Sequence, residues 1–184
     1  MDKKRAYQLI LARFAEDLDI AVRAAQTAHE TATHEENIAE NKYDTLGLEA
    51  AYLAAGQSRR VEEIRQALSL FENLQLRDFD EEMGIQTSAL VQLVNEQEQQ
   101  RWVFIGPDGA GLKVQYDGID VLVITTRAPL GNALLHRHPG DEVEVGAGNA
   151  RQRYEILDAY LARRGPSRAS MKNLSETDNT RRAG

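Results

Sequence analysis

The chain has 184 residues, of which 42% are hydrophobic, and a formal net charge of -7 at pH 7. It contains no cysteine, which excludes disulfides, thiolate metal sites and cysteine nucleophiles. No apolar run approaches the roughly 18 residues needed to span a bilayer, and residues 1–5 do not begin a signal sequence, so we expect a cytoplasmic protein without membrane contact. The negative charge also argues against a general basic surface that wraps duplex nucleic acid.

Residues 1–78 have the pattern of two long helices that fold back as an antiparallel coiled-coil hairpin. All four prolines and eleven of the thirteen glycines lie beyond residue 80. Apolar or small residues recur every three or four positions, first at Tyr7, Leu11, Phe14, Leu18, Ala21, Ala25, Ala28 and Ala32. The second series is Leu46, Ala50, Leu53, Gln57, Val61, Ile64, Leu68 and Phe71, with one extra step after Gln57. We predict helices from about residue 3 to the mid-thirties and from about residue 40 to 74.

The segment between the two helical patterns, residues 35–44, is acidic. From Glu30 to Glu49 the sequence has one base, Lys42, and six acids, which are Glu30, Glu35, Glu36, Glu40, Asp44 and Glu49. Charges on a solvated helix face are usually mixed in sign, so this excess predicts a hairpin tip that presents carboxylates. Small seam residues near the tip predict a thin distal rod, although alanine also fills exposed helices simply because it is the best helix former.

Residues 79–162 have the pattern of a compact α+β domain. The predicted strands are residues 85–95, 100–105, 112–116, 119–125, 142–145 and 151–157, and a short helix is predicted over residues 129–137. Turn sequences lie at residues 106–109 and 117–118. Residues 163–184 have few apolar side chains and several bases, which predicts a disordered basic tail.

Two motifs in this order resemble the bacterial Gre family of transcript-cleavage factors. Glu40-Asn41, followed by Tyr43, is similar to the family's tip signature. Pro-Leu-Gly-Asn-Ala-Leu-Leu at residues 129–135, followed by Gly-Asp-Glu-Val at residues 140–143, is similar to its Ser-Pro-Ile-Gly-Arg-Ala-Leu-Leu and Gly-Asp segment. The resemblance covers roughly residues 5–160 and implies a Gre-like paralogue with an FKBP-like carboxy-terminal domain.

The resemblance implies a monomeric accessory factor, not itself an enzyme, that binds the secondary channel of bacterial RNA polymerase. In that family the globular domain docks at the channel rim, and the tip carboxylates help to hold a second Mg²⁺ in the polymerase active site, which then cleaves backtracked RNA. It thus implies Mg²⁺ shared with the polymerase, no cofactor held by the isolated chain, indirect contact with the 3′ end of nascent RNA, and association with DNA. It implies Glu40 and Glu36 as catalytic residues, directed with Asn37 towards the metal.

The same resemblance implies that Asn41 and Tyr43 pack the tip, and that four residues dock on the polymerase, namely Arg127, Pro129, Gly131 and Leu134. The sequence departs from the family at several of these places. Asn37 stands where the family usually has aspartate, and one residue is missing between Asn41 and Tyr43. Ala128 replaces serine and Asn132 replaces arginine in the docking motif. Because Asn37 is a neutral and weaker ligand for a hard cation, channel binding is better supported than cleavage.

Each of these residues also has a purely structural interpretation. Glu36 and Glu40 would favour the positive end of the second helix, and Tyr43 would close the hairpin. Proline at a helix start and a closely packed glycine explain the docking motif without a partner. Three arginines near the base of the hairpin either contact RNA or belong to a solvated surface of mixed charge, namely Arg59, Arg60 and Arg65. His136 and His138 are two residues apart, which does not predict a metal site.

Four functions are compatible with the sequence. The first is stimulation of transcript cleavage, and the second is a secondary-channel factor that regulates initiation or elongation without cleavage. The third is a prolyl isomerase or chaperone, which would need a concave aromatic pocket built from Trp102, Phe104, Tyr116 and Tyr154. The fourth is a coiled-coil adaptor that dimerises through its heptads.

Overall fold

The computed structural model describes residues 1–33 and 45–160, so the predicted tip and the predicted tail lie outside the described residues. Two long helices, α1 (Lys3–Thr33) and α2 (Thr45–Glu72), precede a mixed sheet. The strands are β1 (Leu90–Asn95), β2 (Gln100–Gly106), β3 (Lys113–Tyr116), β4 (Ile119–Thr125), β5 (Glu142–Val145) and β6 (Gln152–Tyr160). A short helix, α3 (Pro129–Leu134), joins β4 to β5, and a 3-10 turn (Gly148–Ala150) precedes β6. The predicted order, a helical hairpin followed by an α+β domain, is confirmed.

Helices α1 and α2 pack against each other with large side chains at the base of the hairpin and small ones towards its tip. Phe14 and Phe71 are buried at the base, whereas Ala21 and Ala28 are the buried seam residues farther along α1. At about 1.5 Å of rise per residue, the 31 residues of α1 make a rod of about 46 Å. The predicted gradient of side-chain size is therefore confirmed for the described part of the hairpin.

Near the base, the predicted seam of α1 is wrong by one position. Ala6 and Ile10 are fully buried, while Tyr7 and Leu11 are only partly buried. The reason is that α1 contacts α2 on one side and the sheet on another, so the residues that face both partners are the most buried. A heptad pattern describes only the first of these contacts.

In α2 the predicted break in register is absent. Leu53 was predicted for the seam but is 56% exposed, and Ala54 lies half-buried in its place. Buried and half-buried residues lie at positions 50, 54, 57, 61, 64, 68 and 71, which alternate by four and three, and Ala67 is buried beside this series. A small alanine in the seam lets the two helices approach closely, and the larger leucine points outward.

The six strands form one sheet in the order β3-β4-β2-β1-β6-β5. β2 and β4 are parallel, with Trp102 opposite Val121, and all the other neighbours are antiparallel. β1 lies between β2 and β6, so that Leu90 is opposite both Phe104 and Tyr160. The predicted strands are confirmed apart from their ends.

Three of the predicted ends differ from the structure by three residues or more. The apolar run from Ile85 becomes a strand only at Leu90, because the backbone of Ile85 pairs instead with the chain after α3, at His136 and Arg137. Helix α3 ends at Leu134, before this pairing begins. His136 has a positive φ of 62°, which is incompatible with a right-handed helix. β6 extends three residues beyond its predicted end, to Tyr160, along β1.

Both faces of the sheet are covered. One face packs on the base of the hairpin through Leu90, Trp102, Phe104, Val114, Val121 and Val123. The other face packs on α3 and on residues 79–89 through Val91, Leu93, Val103, Ile105, Ile124 and Ile156. Within the described residues, no helix has the length and apolar character to cross a membrane. The likeness to FKBP-like domains and the domain limits at residues 78 and 162 stay predictions.

Candidate functional site

The four predicted docking residues lie at the end of β4 and on α3, where two face inward and two face outward. Gly131 and Leu134 are buried, and Leu134 belongs to the core beneath α3. Arg127 and Pro129 are exposed at the start of the helix. Within this motif, the surface open to a partner is therefore formed by Arg127, Pro129 and the exposed Asn132, which we call the docking surface.

Gly131 is required by the close approach of α3 to β4. A Cβ atom on Gly131 would lie 2.1 Å from the backbone oxygen of Thr125 and 2.8 Å from its carbonyl carbon. Both neighbours are backbone atoms, which cannot swing aside as the end of a side chain would. The glycine therefore serves the fold, and it acts on the docking surface only by fixing where α3 sits.

The start of α3 is held by its backbone and by proline. Ala128 occupies the N-cap position in an extended conformation and makes no side-chain capping bond. Its N–H donates to the oxygen of Thr125 at 3.0 Å, and its oxygen accepts from Asn132 at 2.9 Å. Pro129 at the first helical position has a φ already suited to the helix and no N–H left without a partner. The exposed ring of Pro129 is therefore held in a fixed place.

Arg127 carries the only charge of the docking surface. Its Nη2 lies 3.6 Å from Oδ1 of Asp108, with 75% and 41% of the two side chains exposed. Asp108 Oδ1 also accepts from the N–H of Gly109 at 2.7 Å. An exposed ion pair of this kind contributes about 0 to 1 kcal/mol, so Asp108 holds the Arg127 side chain only weakly.

The second half of the predicted motif, residues 140–143, organises the turn between α3 and β5. Gly140 has a φ of 93° and donates to the oxygen of Ile156 at 2.8 Å. Asp141 accepts from the N–H of His138 at 2.9 Å, and Val143 is buried. His138 and His136 reach back to the backbone oxygens of Glu81 and Met83 at 2.9 Å and 3.0 Å.

The metal-directed and tip-packing residues of the sequence prediction lie outside the described residues, namely Glu36, Asn37, Glu40, Asn41 and Tyr43. The structure describes the helices that lead to them as far as Thr33 and from Thr45. Their assignment therefore stays a prediction.

The bases on α2 belong mainly to a mixed-charge surface. Arg60 lies 3.5 Å from Glu63, and Arg65 lies 3.1 Å from Glu62, each pair one helical turn apart. All four side chains are exposed. This arrangement supports the solvated-face interpretation for these two arginines over a dedicated RNA track.

An aromatic joint fastens the hairpin to the sheet, and sequence reasoning missed it. The rings of Phe14 and Phe71 lie 5.1 Å apart, Phe71 lies 6.1 Å from Phe104, and Tyr7 stacks on Phe104 at 6.5 Å. The hydroxyl of Tyr7 donates to the backbone oxygen of Phe71 at 2.7 Å. Burial and nearby Glu72 raise the pKa of Tyr7, which keeps this hydroxyl protonated.

Two glycines make room for the aromatic joint. A Cβ atom on Gly106 would lie 2.5 Å from Phe71 Cζ, and one on Gly109 would lie 2.3 Å from Phe14 Cζ. The sequence signal for the joint is the motif Gly-Pro-Asp-Gly at residues 106–109. By itself this motif predicts only a turn, although its two glycines also leave space for the rings. The joint also covers Phe104, which is fully buried, and Trp102 is buried in the same cluster, so these two rings do not line an open isomerase pocket.

Polar contacts reinforce the same junction at the start of α1. Arg5 pairs with Asp117 through both carboxylate oxygens, at 2.8 Å and 3.1 Å, and lies over the ring of Tyr116 at 4.9 Å. Lys3 is buried and donates to the backbone oxygen of Arg77. Burial lowers the pKa of Lys3, partly offset by Asp78. The hairpin and the sheet are therefore joined by apolar, charged and hydrogen-bonded contacts together.

Comparison with known families assigns the sheet domain. Residues 81–160 match the family described as transcription elongation factor GreA/GreB, C-terminal. This match confirms, for the domain that carries the docking surface, the resemblance to the Gre family. No curated protein matches the chain.

Solved structures with low sequence identity were also found. GreA factor homolog 1 (Gfh1) of Thermus thermophilus is 20% identical, with 86% of this chain and 94% of that chain covered and a TM-score of 0.34. Gfh1 of Thermus aquaticus is 18% identical, with 81% and 92% covered and a TM-score of 0.34. A GreA/GreB factor from Nitrosomonas europaea is 19% identical, with 61% and 91% covered and a TM-score of 0.33. These TM-scores are too low to carry an argument, so the assignment rests on the family match.

Proposed function

Residues 81–160 belong to the GreA/GreB C-terminal family, and from this premise we propose that the chain is a cytoplasmic accessory factor of bacterial RNA polymerase whose hairpin enters the secondary channel. The observation that carries the proposal is the combination of this domain with a preceding helical rod of about 46 Å. The domain offers the docking surface at Arg127 and Pro129, and the aromatic joint fastens the rod to it. Action as a monomer and association with DNA stay predictions.

At the tip, the donor set fits the metal that the family implies. Mg²⁺ prefers a few carboxylate oxygens and keeps several waters, and Glu36 and Glu40 supply such oxygens. Two metal ions in a polymerase active site stabilise the attacking and leaving oxygens of phosphoryl transfer. In this proposal Glu40 and Glu36 carry negative charge to that site, and Asn41 and Tyr43 hold the turn that presents them. Asn37 brings an amide oxygen of lower affinity.

A cleavage assay on stalled elongation complexes tests the chemistry. We expect shortened transcripts with the natural chain and their loss with Glu40→Gln. Glu49→Gln is the matched control, because it removes one exposed carboxylate from the same hairpin on the described part of α2. Cleavage that survives Glu40→Gln, or that disappears equally with both variants, would contradict the role of the tip.

A second candidate, a channel factor that regulates transcription without cleavage, is favoured by Asn37. In this case the natural chain binds polymerase and releases no shortened transcript, and Asn37→Asp gains cleavage by adding the carboxylate that the family motif has at this position. Absence of gain with Asn37→Asp, despite intact binding, would show that the tip does not reach the metal.

Binding to polymerase is tested separately on the docking surface. We expect Arg127→Glu to weaken capture of RNA polymerase, and Arg151→Glu to leave it unchanged. The two variants are matched, because each reverses one exposed arginine whose ion pair is 3.6 Å or 3.3 Å long. Equal capture by both variants would remove Arg127 from the interface, and loss of capture with both would indicate a nonspecific charge effect.

A further inference from the structure

A groove of about 700 Å³ lies between the end of α2, the segment that follows it and the residues that flank α3. Its lining includes Leu70, Leu74, Arg77, Gln86, Thr126 and Leu135, and we call it the anchor groove. Thr126 directly precedes Arg127 of the docking surface, and Leu135 directly follows α3. The anchor groove therefore borders the docking surface, so a protein that covers one lies next to the other.

Three leucines form the apolar part of the anchor groove. Leu70 lies on the last turn of α2 and is 48% exposed, while Leu74 and Leu135 are half-buried. The N–H of Leu74 donates to the backbone oxygen of Phe71 at 2.9 Å, which ties this segment to the aromatic joint. The leucines are thus held in place but still partly in water. An apolar side chain of a partner that covers them gains free energy by removing this surface from water.

The charge of the anchor groove comes from Arg77 alone among the described residues that line it. Its N–H donates to Ser88 Oγ at 3.1 Å, and its backbone oxygen accepts from Lys3, so its backbone is fixed. Its Nη1 donates to the side-chain oxygen of Gln86 at 3.4 Å, and within residues 1–33 and 45–160 it forms no ion pair. A carboxylate offers this guanidinium two parallel hydrogen bonds, which one amide oxygen cannot.

Apolar surface beside an unpaired cation selects an occupant in which an apolar side chain lies next to a carboxylate. The carboxy-terminal sequence of the chain itself has the opposite character, since residues 163–184 contain six bases and two acids. The position of the groove indicates the partner, because the docking surface that it borders is the one proposed to bind RNA polymerase. Charge and position therefore favour the same occupant.

We propose that the anchor groove binds a segment of RNA polymerase in which an apolar side chain packs on Leu70 and a carboxylate pairs with Arg77. This inference rests on the proposed function, because it takes the partner of the neighbouring docking surface as its own. An arginine and an apolar side chain that lose their water together are typical of the few residues that contribute most to binding. The groove thus adds apolar contact to a docking surface whose only charge is exposed.

Binding of the full chain to purified RNA polymerase from the same bacterium tests the groove. We expect Arg77→Gln to raise Kd about tenfold, because hydrogen bonds to a charged group are lost. Leu70→Ala should raise it about fivefold through lost apolar contact. The matched controls are Arg151→Gln and Leu157→Ala, which change exposed residues that do not line the groove and should leave Kd unchanged.

The absence of cysteine allows the partner segment to be identified. A photo-crosslinker is attached to Leu70→Cys, and mass spectrometry of the irradiated complex shows which polymerase segment it reaches. The same label on Leu157→Cys is the control and should reach none. Replacing the carboxylate of that segment with lysine should then weaken binding of the natural chain and restore binding of Arg77→Glu.

The outcomes separate this inference from the proposed function. Binding that persists in either groove variant, equal losses in variants and controls, or no recovery in the charge exchange would overturn the inference alone. So would the absence of a crosslink, or a crosslink only to nucleic acid or to a second copy of the chain. A natural chain that does not bind polymerase would overturn both. Circular dichroism shows that each variant is folded.

Discussion

At the scale of single residues, Gly131 determines where the docking surface lies. Its missing Cβ atom leaves α3 free to approach the backbone of Thr125, where that atom would be 2.1 Å from the carbonyl oxygen. We expect Gly131→Ala to lower the free energy of unfolding by about 1 to 3 kcal/mol, the usual cost of overpacking a close contact. Urea denaturation measures this change.

Gly56→Ala is the control for that substitution. Gly56 lies in α2, where no side chain or other element comes within 4 Å of the Cβ position, and its φ is not positive. Alanine should therefore raise the free energy of unfolding by about 0.5 to 1 kcal/mol, because it restricts the unfolded chain and favours the helix. Similar effects of the two substitutions would show that α3 does not press on Thr125.

Lys3 predicts a pH dependence with a definite sign. Burial lowers the pKa of its ammonium in the folded protein, whereas the unfolded chain keeps a pKa of about 10.4. Between these values the unfolded chain binds more protons, so the free energy of unfolding should rise with pH. The penalty of the buried charge is present in full below the folded pKa. We expect this rise on the alkaline side of the folded pKa, as the pH increases towards about 10, and its loss in Lys3→Met, both measured by urea denaturation at each pH.

Lys4→Met is the matched control, because Lys4 is exposed and adjacent. It should keep the rise of the natural chain. Tyr7 changes the profile only at higher pH, since its raised pKa makes the folded chain hold the phenolic proton longer and stability then falls as pH increases. A rise that persists in Lys3→Met would show that another group causes it.

At the scale of elements, the sequence predicted what depends on local chemistry. The strands around Trp102 and Val123, the turn at Asp117 and the start of α3 at Pro129 all follow from residue type and period, and the structure has them. Local patterns could not predict contacts between the hairpin and the sheet. Ile10 replaces Leu11 as a core residue because α1 also packs against the sheet, with β3 beside it.

The glycine pair shows the same limit. Gly106 and Gly109 fit a turn by their sequence, and no local pattern predicts that Phe71 of α2 and Phe14 of α1 occupy the space beside them. For the candidate site, the sequence motif at residues 127–135 could be recognised, and its docking role stays a prediction. The division between buried and exposed members could not be predicted, because it depends on how closely α3 approaches Thr125.

Phe71 is the centre of the joint between hairpin and sheet. It is fully buried among Phe14, Phe104 and Gly106. Phe71→Ala should lower the free energy of unfolding by about 3 to 5 kcal/mol, through lost burial and the cavity left behind. The fluorescence of Trp102, the single tryptophan, reports the transition because it lies in the same cluster.

Leu70→Ala is the control one position away. Leu70 is 48% exposed, so its loss should change the free energy of unfolding by no more than about 0.5 kcal/mol. A small effect of Phe71→Ala would mean that the hairpin and the sheet unfold independently and that the joint is not what connects them. A large effect in both variants would point instead to the local helix.

At the scale of the whole molecule, charge is distributed unevenly along the hairpin. In residues 20–33 and 45–58 the charged acids and bases are Arg23, Glu30 and Glu49, whereas the base of the hairpin carries many ion pairs. Apolar side chains are exposed on the distal part, with Ile20 at 51% and Tyr52 at 71%. A rod with few charges loses little hydration when it enters a narrow protein channel, and its carboxylates are concentrated in the sequence of the tip.

The length of the rod should then decide whether the tip acts. Deleting residues 22–28 and 51–57 removes one heptad from each arm and brings Ala21 and Ala50 next to correctly spaced seam residues. The rod becomes about 10 Å shorter while the joint and the docking surface stay intact. We expect the shortened chain to capture RNA polymerase like the natural chain and to lose every effect that requires the tip, whether cleavage or regulation. Circular dichroism controls for the helices, and an effect that survives the shortening would place the action of the protein outside the channel.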